Sequence, residues 1–278
     1  MERQFIARGM LAGALGGLLA FLFARIFAEP QIQRAIDYES GRDAAQSLLD
    51  KAAGLPVEAE GSDPFSRAVQ GNLGIGVGMI LFGVAMGGLF AVAYTLACGR
   101  VGNVRPRPLA LLVALGGFLA LYLVPFLKYP ANPPAIGHED TIRERSGLYL
   151  LMVGVSVVVL VGGVWLGQRL RARFTAWNAA LLAALACAVV LGAVMLLLPS
   201  LGELKANVDQ YGHHATETPL PLKDPQGRIV FPGFPADVLA SFRLYSVAAQ
   251  ALLWATIGVA FAPLAERVLR RAPAGAAA

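Results

Sequence analysis

Residues 73–98, LGIGVGMILFGVAMGGLFAVAYTLAC, contain no charged residue and decide the fold, because they are long enough to cross a bilayer as one helix. A transmembrane helix needs about 20 predominantly apolar residues to span about 30 Å of hydrocarbon. Five other stretches meet this requirement. The six predicted spans cover residues 8–27, 73–98, 108–127, 147–168, 177–198 and 245–264.

The composition of the 278-residue chain agrees with this prediction. Hydrophobic residues make up 56% and charged residues 15% of the chain, whereas an ordinary soluble domain carries about 25% charged residues. We therefore predict an all-α integral membrane protein. Its six transmembrane helices form one bundle, and residues 1–278 form a single membrane domain.

The segments outside the predicted spans alternate in charge. Four of them together hold eleven arginines and two glutamates: residues 1–8, 99–107, 169–176 and 265–278. The other three hold eleven lysines and arginines against sixteen acids: residues 28–72, 128–146 and 199–244. The positive-inside rule assigns the four basic segments, with both termini, to the cytoplasm. Nucleic-acid binding is thus a poor explanation of the calculated pI of 9.5.

Glycines recur, mostly at four-residue spacing, in three spans: Gly9, Gly13 and Gly17 in the first, Gly74, Gly78, Gly83 and Gly87 in the second, and Gly163 and Gly167 in the fourth. This spacing lets helix backbones approach closely in lipid. Packing within the bundle and packing between copies of the chain both fit the pattern.

The acidic segments are expected to be partly folded. A partial apolar stripe predicts a helix over residues 31–49, and Ser62-Asp63-Pro64 is typical of a second helix start. Asp224-Pro225-Gln226-Gly227 is a turn sequence that predicts a small β-hairpin between residues 220–223 and 228–231. A helix that starts after Pro235 is expected to run without a break into the sixth span.

Several function classes are disfavoured by what the sequence lacks. No Asp or Glu lies in the middle third of a span, although intramembrane carboxylates are the usual relays of ion-coupled carriers. No phosphate-binding loop of the G-x-x-x-x-G-K-[ST] type is present, and the common hydrolase and metalloprotease motifs are also missing. We therefore predict that the chain is not an enzyme, with no bound cofactor.

Two groups of polar residues are candidate metal ligands on the predicted outer side. Imidazole and carboxylate together suit divalent Co, Ni or Zn ions, although histidines among acids in a loop are more often simply solvated. Gln250 in the sixth span is a better candidate for a pathway residue than any residue of spans 2 to 5, since an amide in lipid costs free energy unless it faces protein or water. The candidate ligands are His138, Glu139 and Asp140 in one segment, and His213 and His214 in another.

The most specific wording is KYPANPPAIG at residues 128–137, followed by DTIRERSGLY at residues 140–149, with FAEPQIQRAIDYE at residues 27–39 and FPADVLASFRL at residues 234–244. These stretches resemble the CbtA family of predicted cobalt transporter subunits. The resemblance implies a link to cobalamin biosynthesis and a small single-span partner, CbtB, with a His-rich tail. It carries over onto Glu29, Tyr38, Glu39, Lys128, Tyr129, Pro130, Asn132, Pro133, Pro134, Arg145, Tyr149, Arg243 and Gln250.

The resulting hypothesis is a subunit in the bacterial inner membrane that admits Co²⁺ as substrate from the extracytoplasmic side. Outer acids such as Glu29 and Glu39 would collect the cation, and the proline-stiffened lip at residues 128–134 would control its entry. The alternative is a non-transporting membrane module whose outer segments bind a partner protein or a corrinoid. The expected partners are the lipid bilayer, a CbtB-like subunit and the metal ion.

Overall fold

The computed structural model describes residues 2–56, 70–102, 104–213 and 216–271. Within these residues, six helices are long and apolar enough to cross a membrane, which confirms the predicted fold class. Spans 2 and 3 each include a π-helical turn, at Gln70–Gly74 and Leu119–Leu123. The helices are Glu2–Phe27 (span 1), Ile75–Ala97 (span 2), Pro106–Phe118 continued by Val124–Lys128 (span 3), Ile142–Leu170 (span 4), Ala176–Leu197 (span 5) and Ala236–Arg271 (span 6).

Spans 1, 2, 3 and 6 form the core of the bundle. Four of their aromatic rings pack together near one end: Phe5, Phe90, Tyr94 and Phe261. Spans 4 and 5 pack against each other at the edge of the core. Only 11% of the most apolar 18-residue stretch of span 4 is buried, and only 6% of that of span 5. Since their exposed side chains are mostly Leu and Val, this surface suits contact with lipid.

The glycines of spans 1 and 2 face each other. A Cβ atom on Gly13 would overlap the carbonyl oxygen of Gly83, and one on Gly9 would overlap that of Gly87. The two backbones can approach this closely only because neither helix carries a side chain there. The four-residue spacing is therefore used for packing within one chain.

The two ends of the bundle differ in character. At one end, which we call the basic end, Arg107 Nε donates to Glu266 Oε2 at 2.6 Å, and Arg8 Nη1 donates to the Leu264 carbonyl at 2.7 Å. The opposite end carries a cap, formed by the described residues of segments 29–56, 129–141 and 198–235. The bundle therefore has one short-loop end and one large folded end.

The cap contains the elements that the sequence predicts. A helix at Glu29–Ala52, the cap helix, follows span 1, and the antiparallel strands Leu222–Lys223 and Ile229–Phe231 form the hairpin. Span 6 begins at Ala236, directly after Pro235, and is unbroken. The helix start predicted at Ser62–Pro64 lies outside the described residues.

Candidate functional site

A buried carboxylate organises the cap end of the bundle. The Glu217 side chain is 0% exposed, and its two oxygens accept hydrogen bonds from three other parts of the chain. Asn207 Nδ2 donates to Oε1 at 2.9 Å, while Asn132 Nδ2 and Arg145 Nη1 donate to Oε2 at 3.3 and 3.4 Å. The Thr141 hydroxyl lies 3.2 Å from Oε1. These donors replace the water that a buried carboxylate loses.

Asn132 connects this carboxylate to span 6. Its side-chain oxygen accepts a 2.7 Å hydrogen bond from Arg243 Nη2, and Arg243 Nε donates to the Ala131 carbonyl at 3.3 Å. We call Glu217, Asn132, Arg145 and Arg243 the Glu217 network. Two arginines and one carboxylate leave it a formal charge of +1, so it ties four segments together and stays positive.

The lip predicted at residues 128–134 begins where span 3 ends, at Lys128. Lys128 Nζ donates to the Leu198 carbonyl at 2.8 Å, and the Tyr129 hydroxyl donates to the Pro199 carbonyl at 3.0 Å. Both bonds fix the lip to the end of span 5. Partial burial raises the pKa of Tyr129, so this phenol keeps the proton that it donates.

Gly137 positions Arg145. Its φ of +104° lies in the region that favours glycine, and a Cβ atom there would overlap the Arg145 guanidinium. The guanidinium therefore lies against the backbone just beyond the lip, where its Nη1 donates to Glu217.

A cleft of about 530 Å³ lies between span 3, span 4 and the lip. Five of the residues that the family resemblance singles out line it: Tyr129, Pro130, Asn132, Arg145 and Tyr149. The Tyr149 hydroxyl donates to the Leu121 carbonyl at 3.4 Å. The structure thus brings together residues that the sequence places in two separate segments.

A separate acidic patch lies on the cap. It consists of Glu39 and Asp43 on the cap helix and Glu139, three residues before span 4, all three exposed. Partial loss of hydration raises the pKa of Glu39, and the negative charges of Asp43 and Glu139 raise it further. A carboxyl group whose pKa is raised by like charges gains from a nearby cation.

A family model described as a probable cobalt transporter subunit, CbtA, matches residues 2–266. The chain belongs to the CbtA family. The match begins at the start of span 1 and ends five residues before the end of span 6, so it includes the cap, and the family is one of membrane transporter subunits and not of enzymes. Comparisons with curated proteins and with solved structures gave no significant match.

The histidines predicted as metal ligands in this CbtA-family chain lie in two separate places. His138 Nδ1 accepts a hydrogen bond from the Asp140 backbone N–H at 3.2 Å, and His213 Nδ1 lies 2.9 Å from Glu203 Oε2. His214 is outside the described residues. In the part of the chain that the structure describes, no three His, Cys, Asp or Glu side chains converge as a metal site would require, and a metal centre here stays a prediction.

The remaining predicted site residues have different surroundings. Tyr38 is buried in the cap, where its ring packs on Phe231 and Phe234 and its hydroxyl donates to the Pro232 carbonyl at 3.0 Å. Glu29 lies in the first turn of the cap helix. Gln250 lines a smaller cavity of about 310 Å³ between spans 1, 2 and 6.

Proposed function

We propose that this CbtA-family chain admits Co²⁺ into a bacterial cell from the extracytoplasmic face of the inner membrane. The observation that carries the proposal is the acidic patch, where the charges of Asp43 on the cap helix and of Glu139 after the lip are near enough to Glu39 to raise its pKa. Clustered carboxylates raise the local concentration of divalent cations. The family match supplies cobalt as the transported ion.

The charge distribution supports this orientation. The basic end holds the arginine-rich segments, and the cap holds the acidic ones. By the positive-inside rule the basic end, with both termini, lies in the cytoplasm. The acidic patch then faces the compartment from which the cell takes up metal.

The direct test is uptake of radioactive cobalt into proteoliposomes that contain the purified chain, with and without a CbtB-like partner. We expect saturable uptake that requires this chain. If neither preparation shows saturable flux, the chain is a membrane module that binds a partner or a corrinoid and does not carry the ion.

Replacing Glu39 with glutamine is expected to weaken cobalt uptake severalfold at low cobalt concentration, because the patch loses one of its three charges. Protein abundance should not fall. A raised pKa means that ionised Glu39 is less favourable in the folded than in the unfolded state, so a neutral side chain removes a folding penalty.

The matched control for this variant is Asp50→Asn, which removes the same charge from the same helix about 16 Å away along its axis. Its uptake should remain close to that of the parent protein. An equal loss in both variants would mean that net charge, and not the patch, attracts the ion.

Cobalt uptake is also expected to fall on acidification at a pH above the ordinary pKa of a glutamate. Because the pKa of Glu39 is raised, this carboxyl is protonated earlier than an isolated one as the pH falls. Initial rates measured between pH 4.5 and 7.5 give the profile. In Glu39→Gln the midpoint should move to lower pH, and an unchanged midpoint would exclude Glu39 as the titrating group.

A further inference from the structure

The cleft between spans 3 and 4 differs in chemistry from the acidic patch. Among the described residues that line it, Arg145 is the only charged one. The one carboxylate of the Glu217 network, that of Glu217, is fully buried, and its oxygens already accept hydrogen bonds from the protein. With the formal charge of +1 on the Glu217 network, a bare cation is disfavoured here and an anion is favoured.

One hydroxyl in the cleft lacks a partner. Tyr122 lies on the π-helical turn of span 3 and lines the cleft, and its buried hydroxyl makes no hydrogen bond to any described residue. Buried polar groups are normally paired, and π-helical turns occur frequently at functional sites. A bound group that accepts hydrogen bonds would satisfy this donor.

The cleft is polar at one end and apolar at the other. Arg145 and Ser146 lie near the N-terminus of span 4, at the cap end, where the helix dipole also favours negative charge. Tyr122 lies six residues inside span 3, about 9 Å deeper along the helix. The wall facing outward is formed by Ile142 and Leu150, which are 54% and 67% exposed.

We propose that this cleft binds an anionic membrane lipid, with its phosphate against Arg145, an ester carbonyl that accepts a hydrogen bond from the Tyr122 hydroxyl, and an acyl chain along Leu150. The cleft places the positive charge of Arg145 at its cap end, next to the exposed apolar wall of Ile142 and Leu150. This arrangement matches an amphiphile better than a soluble anion. The bound lipid would fill the cleft between span 3 of the core and span 4. This site is distinct from the cation-collecting patch, and its test does not depend on transport.

The test uses the purified full-length chain in a neutral detergent, with native mass spectrometry to count the lipid molecules retained. Phosphatidylglycerol and phosphatidylcholine with identical acyl chains are added at equal concentration. We expect the protein to retain one phosphatidylglycerol molecule, and the fraction of protein that retains it to be at least threefold higher than the fraction that retains phosphatidylcholine. Equal retention of the two lipids would overturn the proposal.

Variants locate the site. Arg145→Gln should reduce the preference by about threefold to tenfold, the range for one hydrogen bond of ordinary net strength, and Arg145→Lys should keep most of it. Tyr122→Phe, which breaks no bond within the described residues, should weaken retention without unfolding the cap. The control is Arg143→Gln, an exposed neighbour on another face of the helix, which should leave the preference unchanged.

Inorganic phosphate separates a lipid site from a soluble-anion site. We expect that phosphate at the concentration of the lipid does not displace phosphatidylglycerol, since it lacks the apolar part that contacts Leu150. Displacement at that concentration would assign the cleft to a soluble anion. Unchanged lipid retention in both Arg145→Gln and Tyr122→Phe would place the lipid elsewhere.

Discussion

Replacing Glu217 with alanine is expected to destabilise the folded protein by about 3 to 5 kcal/mol, the usual cost of breaking a buried ion pair by removing one partner. The change leaves Arg145, Asn132 and Asn207 with donors that point into a protein interior. Because Arg145 lies on span 4 whereas both asparagines belong to the cap, the change weakens the cap itself and removes its bond to span 4. This loss of stability is measured by heating the protein in detergent and determining the fraction that remains monodisperse at each temperature.

The matched control is Asp209→Ala, which removes an exposed carboxylate eight residues away in the same connection. Its stability should change by less than about 0.5 kcal/mol, as for most surface substitutions. If Glu217→Ala is as stable as Asp209→Ala, the network does not hold the cap in place. Glu217→Gln is expected to fall in between, because its amide nitrogen faces donors where the carboxylate had accepted.

Replacing Gly83 with leucine is expected to cost more than about 3 kcal/mol and to abolish correctly folded protein. Even a Cβ atom at this position overlaps the Gly13 carbonyl oxygen, and backbone atoms in the middle of a helix cannot move aside. Spans 1 and 2 would have to separate, which opens the core of the bundle. The monodisperse yield after size-exclusion chromatography is the measurement.

Gly78→Leu provides the comparison on the same helix, because nothing lies within 4 Å of a Cβ atom at that position. This variant should give a yield close to that of the parent protein. Yields close to that of the parent protein from both Gly83→Leu and Gly78→Leu would contradict the close packing of spans 1 and 2. Low yields from both variants would instead show that any large residue in span 2 is harmful.

The fold could be predicted because its signals are local. Length and apolarity identify each span, and the turn sequence at residues 224–227 identifies the hairpin, where Gly227 has a φ of +81°. The partial apolar stripe at residues 31–49 likewise identifies the cap helix at Glu29–Ala52. The partners of these elements could not be predicted: the glycine spacing on span 1 is local, whereas the choice of span 2 as its partner depends on packing of the whole bundle.

The candidate site could be predicted only in part, for the same reason. Lys128, Tyr129 and Asn132 stand out because three prolines follow or interrupt them. The structure brings Tyr129 and Asn132 to the cleft with Arg145, while Lys128 binds the end of span 5. Glu217 carries no local signal, since its bonds to Arg145 and Asn132 cross 72 and 85 residues of sequence. Tyr122 also has none, because a π-helical turn cannot be distinguished from an α-helical one in an apolar stretch.

The central claim is that the cap, with its acidic patch, faces away from the cytoplasm. Single-cysteine labelling in intact cells tests it most directly, in a chain whose Cys98 and Cys187 are replaced by alanine. The account predicts that a membrane-impermeant maleimide labels Asp140→Cys in the cap without lysis, and labels Arg173→Cys at the basic end only after lysis. Labelling of Arg173→Cys in intact cells, with Asp140→Cys protected, would contradict it.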